Sequence, residues 1–218
     1  MSPRTLRVVT FQALGPDSAV DAVLRSTILP RLLEDPSVVD AWQGRRGSAD
    51  GNHVLVSTWR DGPEPAGRAT DVTLLEAPDL LLGGVEIVSV ESLDVAVHAT
   101  FQRPEPARVL RVFRGTARPG ELADYIAEAR AGMTDDARVN DGLVSFVLGE
   151  DREASFISVS TWTGWPAIEA ATGGNTRQPF ATRQTRRLAG YRIVHLELLP
   201  EAPIPPGALL DRRLEPAT

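Results

Sequence analysis

Two residue types are missing from this chain of 218 residues. There is no cysteine, which excludes disulfides, thiolate metal sites, iron–sulfur clusters and a cysteine nucleophile. There is no lysine either, and all 23 basic residues are arginine. That excludes Schiff-base catalysis and the lysine of a phosphate-binding P-loop. Histidine is scarce: His53, His98 and His195 are the whole set. None has metal-ligand spacing, and a lone strand histidine reads as structural before it reads as a metal or heme ligand. No metal site is expected. No apolar run approaches the ~20 residues of a spanning helix, and residues 1–9 hold no signal-peptide stretch. The net charge of −6 argues against nucleic acid or an anionic membrane as partner. The expected location is cytoplasmic. No Gly-x-Gly-x-x-Gly opens a helix after the first strand, and there is no Gly-x-Ser-x-Gly elbow.

What is present is repetition. Leu6-Arg7-Val8 recurs as Leu110-Arg111-Val112, 104 residues on. Val56-Ser57-Thr58-Trp59 recurs as Val159-Ser160-Thr161-Trp162, offset 103. Ile87-Val88 recurs as Ile193-Val194, offset 106, and Glu91 and Leu93 recur as Glu197 and Leu199. Matches in one order at a nearly constant offset mark two copies of one unit. The expected units are 1–103 and 104–200, joined by a linker near Gln102–Pro106. A Pro-rich extended tail, 201–218, follows.

Each unit reads as strand, helix, strand, strand, helix, strand. In the second, strands are predicted at Val109–Thr116, Leu143–Leu148, Ala154–Trp162 and Arg192–Leu199. A helix with Leu122, Ile126, Ala129 and Met133 on one face follows the first strand. Short helical pieces are predicted at Pro166–Ala171 and Gln178–Leu188. In the first, strands are predicted at Leu6–Gln12, Val38–Arg45, His53–Trp59 and Val85–Leu93. Its first helix contains Pro30, which should kink or split it. A short second helix is placed at Val72–Leu75, and 95–101 alternates like an extra strand. The fold class is therefore α+β, two tandem ferredoxin-like (βαββαβ) units.

A strand that opens with Gly142-Leu143, a hairpin, a strand closing on Ser-Thr-Trp, then Pro166–Ala171 and Pro179-Phe180, resembles the antibiotic biosynthesis monooxygenase (ABM) family of the dimeric α+β barrel superfamily. The first copy keeps Trp59 but lacks the Pro-Phe piece. The resemblance implies that the two sheets pair into an intramolecular barrel. It also implies a small-molecule oxygenase acting on an aromatic or polyketide-like substrate, with no bound cofactor. It also allows a homodimer of such pseudo-dimeric chains as an expected further assembly. Heme-degrading relatives carry an Asn on the first strand, a Trp after the third and a His after the Pro-Phe piece. Thr10 and Arg114, Ala170 and Gln184 stand near those positions here, which disfavours heme degradation.

Strand alternation sorts candidate site residues. Leu110 and Val112, with Val194, Leu196 and Leu198, are expected to face the helices. Arg111, Phe113 and His195 then face the other way. Ser158, Ser160 and Trp162, with Trp59 in the first copy, complete a mixed aromatic and polar surface for a small aromatic ligand. His195 is the candidate catalytic base. Arg111–Glu197 and Arg7–Glu91 are expected as cross-strand ion pairs. Arg183, Arg186 and Arg187 read as a solvated helix face. The trio of an oxygenase, a non-enzymatic ligand-binding or interaction protein and, more weakly, a heme binder through His53 or His195 stays open.

Overall fold

The structure, a computed structural model, describes residues 2–46, 52–60, 74–75, 84–151, 154–179 and 182–198. The Pro-rich tail, Phe180, Leu199 and the first two residues of the helix placed at Val72–Leu75 lie outside them; Leu74 and Leu75 are helical and buried.

The strands follow the β-branched and aromatic runs of the sequence. They are β1 (Thr5–Ala13), β2 (Val38–Arg45), β3 (Asn52–Trp59), β4 (Val85–Thr100), β5 (Val109–Ala117), β6 (Leu143–Glu150), β7 (Ser155–Trp162) and β8 (Leu188–Leu198). Two helical segments, α1 (Asp17–Val23) and α2 (Leu29–Glu34), are separated by a π-helical turn, Leu24–Ile28. Pro30 sits in the first turn of α2, where its missing N–H costs least, and the π turn absorbs the break just ahead of it. Val20, Leu24, Ile28 and Leu32 still fall on one buried stripe. In the second half, α3 (Leu122–Val139) is continuous and α4 is Trp165–Ala171. The helical piece placed at Gln178–Leu188 is a short 3₁₀ helix, Thr182–Arg187.

The strands close an antiparallel barrel in the order β1-β3-β2-β8-β5-β7-β6-β4. β1 pairs with β3 and β4, and β5 pairs with β7 and β8 in the same way. The segment read as an extra strand is the far end of β4, which pairs along Asp94–Thr100 with β6 and closes one seam. The other seam, β2 with β8, has two paired positions, Gly44–Leu198 and Arg45–Glu197. A glycine stands at each seam. A Cβ on Gly44 would come within 2.7 Å of Leu196, and one on Gly149 within 2.8 Å of Leu93. Only a residue without a side chain lets the strands of the two halves approach this closely.

The core divides into three clusters, which correct the expected facing of the strands. Leu110, Val112 and Leu196 pack with Leu6, Val8, Val54, Val56, Val147 and Val159, drawn from both halves and from strands alone. These aliphatic side chains, with Val194 and Leu198 against them, fill the barrel interior. Val109, Phe113, Phe156 and Trp162 instead meet Tyr125, Ile126, Ala129 and Met133 of α3 and Ile168 of α4. Val9, Phe11, Leu55 and Trp59 likewise meet Val20, Leu24 and Ile28 in the first half. The set with Arg111, Phe113 and His195 therefore faces the helices. Both faces of a strand in a helix-wrapped barrel are dry, so alternation separates two sets without saying which is inside.

Candidate functional site

The register of β5 on β8 sets Arg111 opposite His195 and Val109 opposite Glu197. The expected Arg111–Glu197 pair is not formed, because Glu197 lies two residues along the ladder. It reaches Arg45 instead, at 3.9 Å. The Arg7–Glu91 pair also fails. Arg7 stands opposite Ser92, and Glu91 grips Arg114 through contacts of 2.5–3.0 Å. The same registers set Leu6 opposite Leu93 and Leu110 opposite Leu196. Matching register positions on β4 and β8 thus lie 103 residues apart, where the dipeptide matches led to an expectation of 106, and Ser92 stands opposite Arg7 as His195 stands opposite Arg111.

Arg111 is 2% exposed. Its Nε–H donates to His195 Nε2 at 3.2 Å and its Nη2 donates to the Gln178 carbonyl at 2.5 Å. Burial lowers the guanidinium pKa to about 10, opposed by the nearby Tyr125 phenol. Burial also pushes the Tyr125 phenol up, against the pull of Arg111. Burial first, and the Arg111 charge second, lower His195 to about 4. At neutral pH the imidazole is uncharged. Since Nε2 accepts from Arg111, its proton sits on Nδ1. The indole of Trp165, 43% exposed at the start of α4, tilts over the imidazole with centroids 5.1 Å apart. His195 is half-buried beside that ring.

Of the sequence-predicted residues, the fold brings Arg111, Phe113, Ser158, Ser160, Trp162 and His195 to one helix-facing layer of the second half. Trp59 is not among them; it belongs to the separate core of the first half. Trp162 is fully buried, and its indole N–H donates to Ser160 Oγ at 2.8 Å. Trp59 and Ser57 repeat the arrangement at 2.9 Å. The Ser-Thr-Trp motif is thus a packing unit in which a hydroxyl two residues back satisfies the indole. In the first half, Val9, Leu55 and Ser92 occupy the register positions of Phe113, Ser158 and His195. Tyr125 and Trp165 were the residues that strand alternation missed, since neither is on a strand. Trp165 comes three residues after the Trp that closes the Ser-Thr-Trp strand and opens a helix with Pro166, which is a local signal of its own.

The other two histidines lie elsewhere. His53 is fully buried and stacked on Phe11, with Nε2 3.4 Å from Asp17 and Nδ1 3.5 Å from Asp21. His98 lies 3.3 Å from Asp40. Among the described residues no group of three or more His, Asp or Glu is arranged to hold a metal. Cavities of about 520 and 590 Å³ open at one mouth of the barrel and beside the end of α3. Neither is lined by His195 or Trp162. Arg187 is not a solvated cation: Glu121, just ahead of α3, and Asp124 and Glu128 of α3 surround it, and the hydrogen bonds it donates to Glu128 and Glu121 raise its pKa.

No family model matches the sequence, and no curated protein matches it. Solved structures do match. A proposed monooxygenase from Fusobacterium nucleatum has a TM-score of 0.66 at 11% identity, covering 92% of this chain and 94% of that one. A proposed monooxygenase from Lactobacillus acidophilus has a TM-score of 0.62 at 9% identity, covering 89% and 94%. A heme-degrading enzyme from Listeria monocytogenes has a TM-score of 0.54 at 9% identity, covering 89% and 99%. The fold is that of the dimeric α+β barrel. A dimeric α+β barrel does not fix a function, and its chemistry must come from the Arg111–His195 layer or from another site. No helix among the described residues is long and apolar enough to cross a membrane.

Proposed function

We propose that the chain is a small-molecule oxygenase of the ABM type, acting on an aromatic or polyketide-like substrate without a bound cofactor. The same reading takes 1–103 and 104–200 as copies of one unit, of which the second carries the Arg111–His195 pair. The observation that carries it is the buried Arg111–His195 hydrogen bond beneath the exposed Trp165 ring. An aromatic substrate entering beside Trp165 displaces the Arg111 contact and frees His195 Nε2. The imidazole then accepts a proton from a ring-activated methylene, and the Arg111 charge faces the resulting anion. The anion reduces dioxygen. The methylene loses both hydrogens and becomes a carbonyl with one oxygen atom, and the other oxygen leaves as water. No outside reductant enters the balance.

A second reading is binding without turnover. It rests on the same hydrogen bond, which in the free protein occupies the lone pair a base would use. An anthrone probe separates the two. Oxygen uptake matched one to one by quinone absorbance, lowered about 100-fold in His195→Phe and in the surface variant Trp165→Ala, is the expected result. Saturable binding with no oxygen uptake overturns the oxygenase in favour of the binder. A hemin Soret shift that disappears in His195→Phe overturns it in favour of heme.

A further inference from the structure

We propose that the mouth of the barrel beside Arg192 is a second small-molecule site, which takes an organic anion through its carboxylate or phosphate group. The barrel interior ends there in a polar ring. Arg114 of β5 and Arg192 of β8 stand opposite each other in the ladder. They follow Val112 and Val194 in alternation, so both point into the mouth. Two like charges directly opposite repel. Only one is neutralised: Glu91 crosses the mouth from β4 and binds Arg114 with both oxygens, and Thr10 adds a contact at 3.5 Å. Arg192 is exposed and makes no hydrogen bond or ion pair among the described residues.

A cavity of about 520 Å³ opens against these groups, a volume in the range of ordinary ligand pockets. Its floor is the apolar end of the core, Leu93 and Ile157, and the Thr116 and Ser155 side chains stand on its walls. Asp151 also lines it, but one carboxylate oxygen is spent on the hairpin, accepting from the Ser155 N–H at 2.9 Å. Gly190 completes the wall beside Arg192. A Cβ added there meets nothing within 4 Å, so the space beside it is open. An unneutralised guanidinium, hydroxyls and an apolar floor fit an anion carried on an apolar body. This site is separate from Arg111 and His195, which face the helices on the other side of the same two strands.

Benzoate and inorganic phosphate are the probes, titrated into the full chain and followed by the NMR amide shifts of the β8 residues. Saturable binding of benzoate is expected, weakened at least about tenfold in Arg192→Gln and abolished in Gly190→Leu, which fills the cavity. Phosphate binding as tight as benzoate assigns the phosphate-ester source; benzoate alone assigns the carboxylate source. Thermal melts of each variant report folding, and His195→Phe is expected to bind benzoate as the parent does. The proposal is overturned if neither probe saturates the parent chain. It is equally overturned if Arg192→Gln and Gly190→Leu, both folded, bind with unchanged affinity.

Discussion

Arg111 and His195 stand opposite each other in the β5–β8 ladder, and the guanidinium Nε–H donates to the imidazole Nε2 across 3.2 Å. The contact ties the protonation of the histidine to the fold. Burial and the Arg111 charge lower the His195 pKa to about 4 in the folded state, against about 6.5 in an unfolded chain. Between those values the unfolded chain binds more protons, so this group's contribution to stability is complete above about pH 6.5 and falls as the pH drops toward 4. The midpoint of urea unfolding is expected to decline over that interval in the parent. In His195→Gln the decline is expected to be shallower. An identical pH profile for the two proteins would show that His195 does not carry the effect.

The indole hydrogen bonds give a second test. Trp59 and Trp162 are buried and donate to Ser57 and Ser160. Removing either hydroxyl leaves a buried N–H without its acceptor, at a cost of about 1–3 kcal/mol. Ser57→Ala and Ser160→Ala are each expected to lose that much in denaturant unfolding. The two tryptophans pack in different clusters, so the losses should add in the double variant. A Trp162→Phe background should remove most of the cost of Ser160→Ala.

The seams between the halves respond differently. A methyl on Gly44 or Gly149 collides with the Cβ of Leu196 or Leu93, atoms held by the strands themselves. Gly44→Ala and Gly149→Ala are each expected to destabilise by about 1–3 kcal/mol through overpacking. Gly190→Ala, with open space around its Cβ, is expected to stay within about 0.5 kcal/mol of the parent. Thermal unfolding of the three variants side by side checks this.

Strand positions were legible in the sequence because β-branched runs and polar turns mark them locally: Val38–Arg45 is both the predicted and the observed β2. The split at Pro30 was legible for the same reason, since a missing N–H acts where it stands. The facing of Leu110 and Arg111 was not. Leu110 enters the barrel and Arg111 the helix layer, yet an arginine in a dry layer looks, by composition alone, like the wetter side. Register was also hidden. The Ile87-Val88 and Ile193-Val194 dipeptides suggested an offset of 106, whereas hydrogen bonding to β1 and β5 sets 103. Three residues of slip are enough to turn Glu91 into the apparent counterpart of Glu197. The candidate site needed Tyr125 and Trp165, which only the packing of helices on the sheet brings near Arg111 and His195.

The last prediction concerns what holds the barrel mouth. Arg114 and Glu91 come from different halves, and their side chains are 27% and 31% exposed. Exposure of that order screens the charges, so the pair is expected to contribute modestly, about 0.5–1 kcal/mol. A double-mutant cycle with Arg114→Met and Glu91→Gln measures the coupling directly. It should shrink on going from low salt to about 1 M NaCl, where charges a few ångströms apart are already screened. Either single variant should lose more than the coupling itself, because each leaves one charge facing the apolar end of the core. The double variant should recover part of that loss. A coupling near zero at low salt would mean that the mouth is held by the aliphatic contacts of Leu93 and Ile157 rather than by the ion pair.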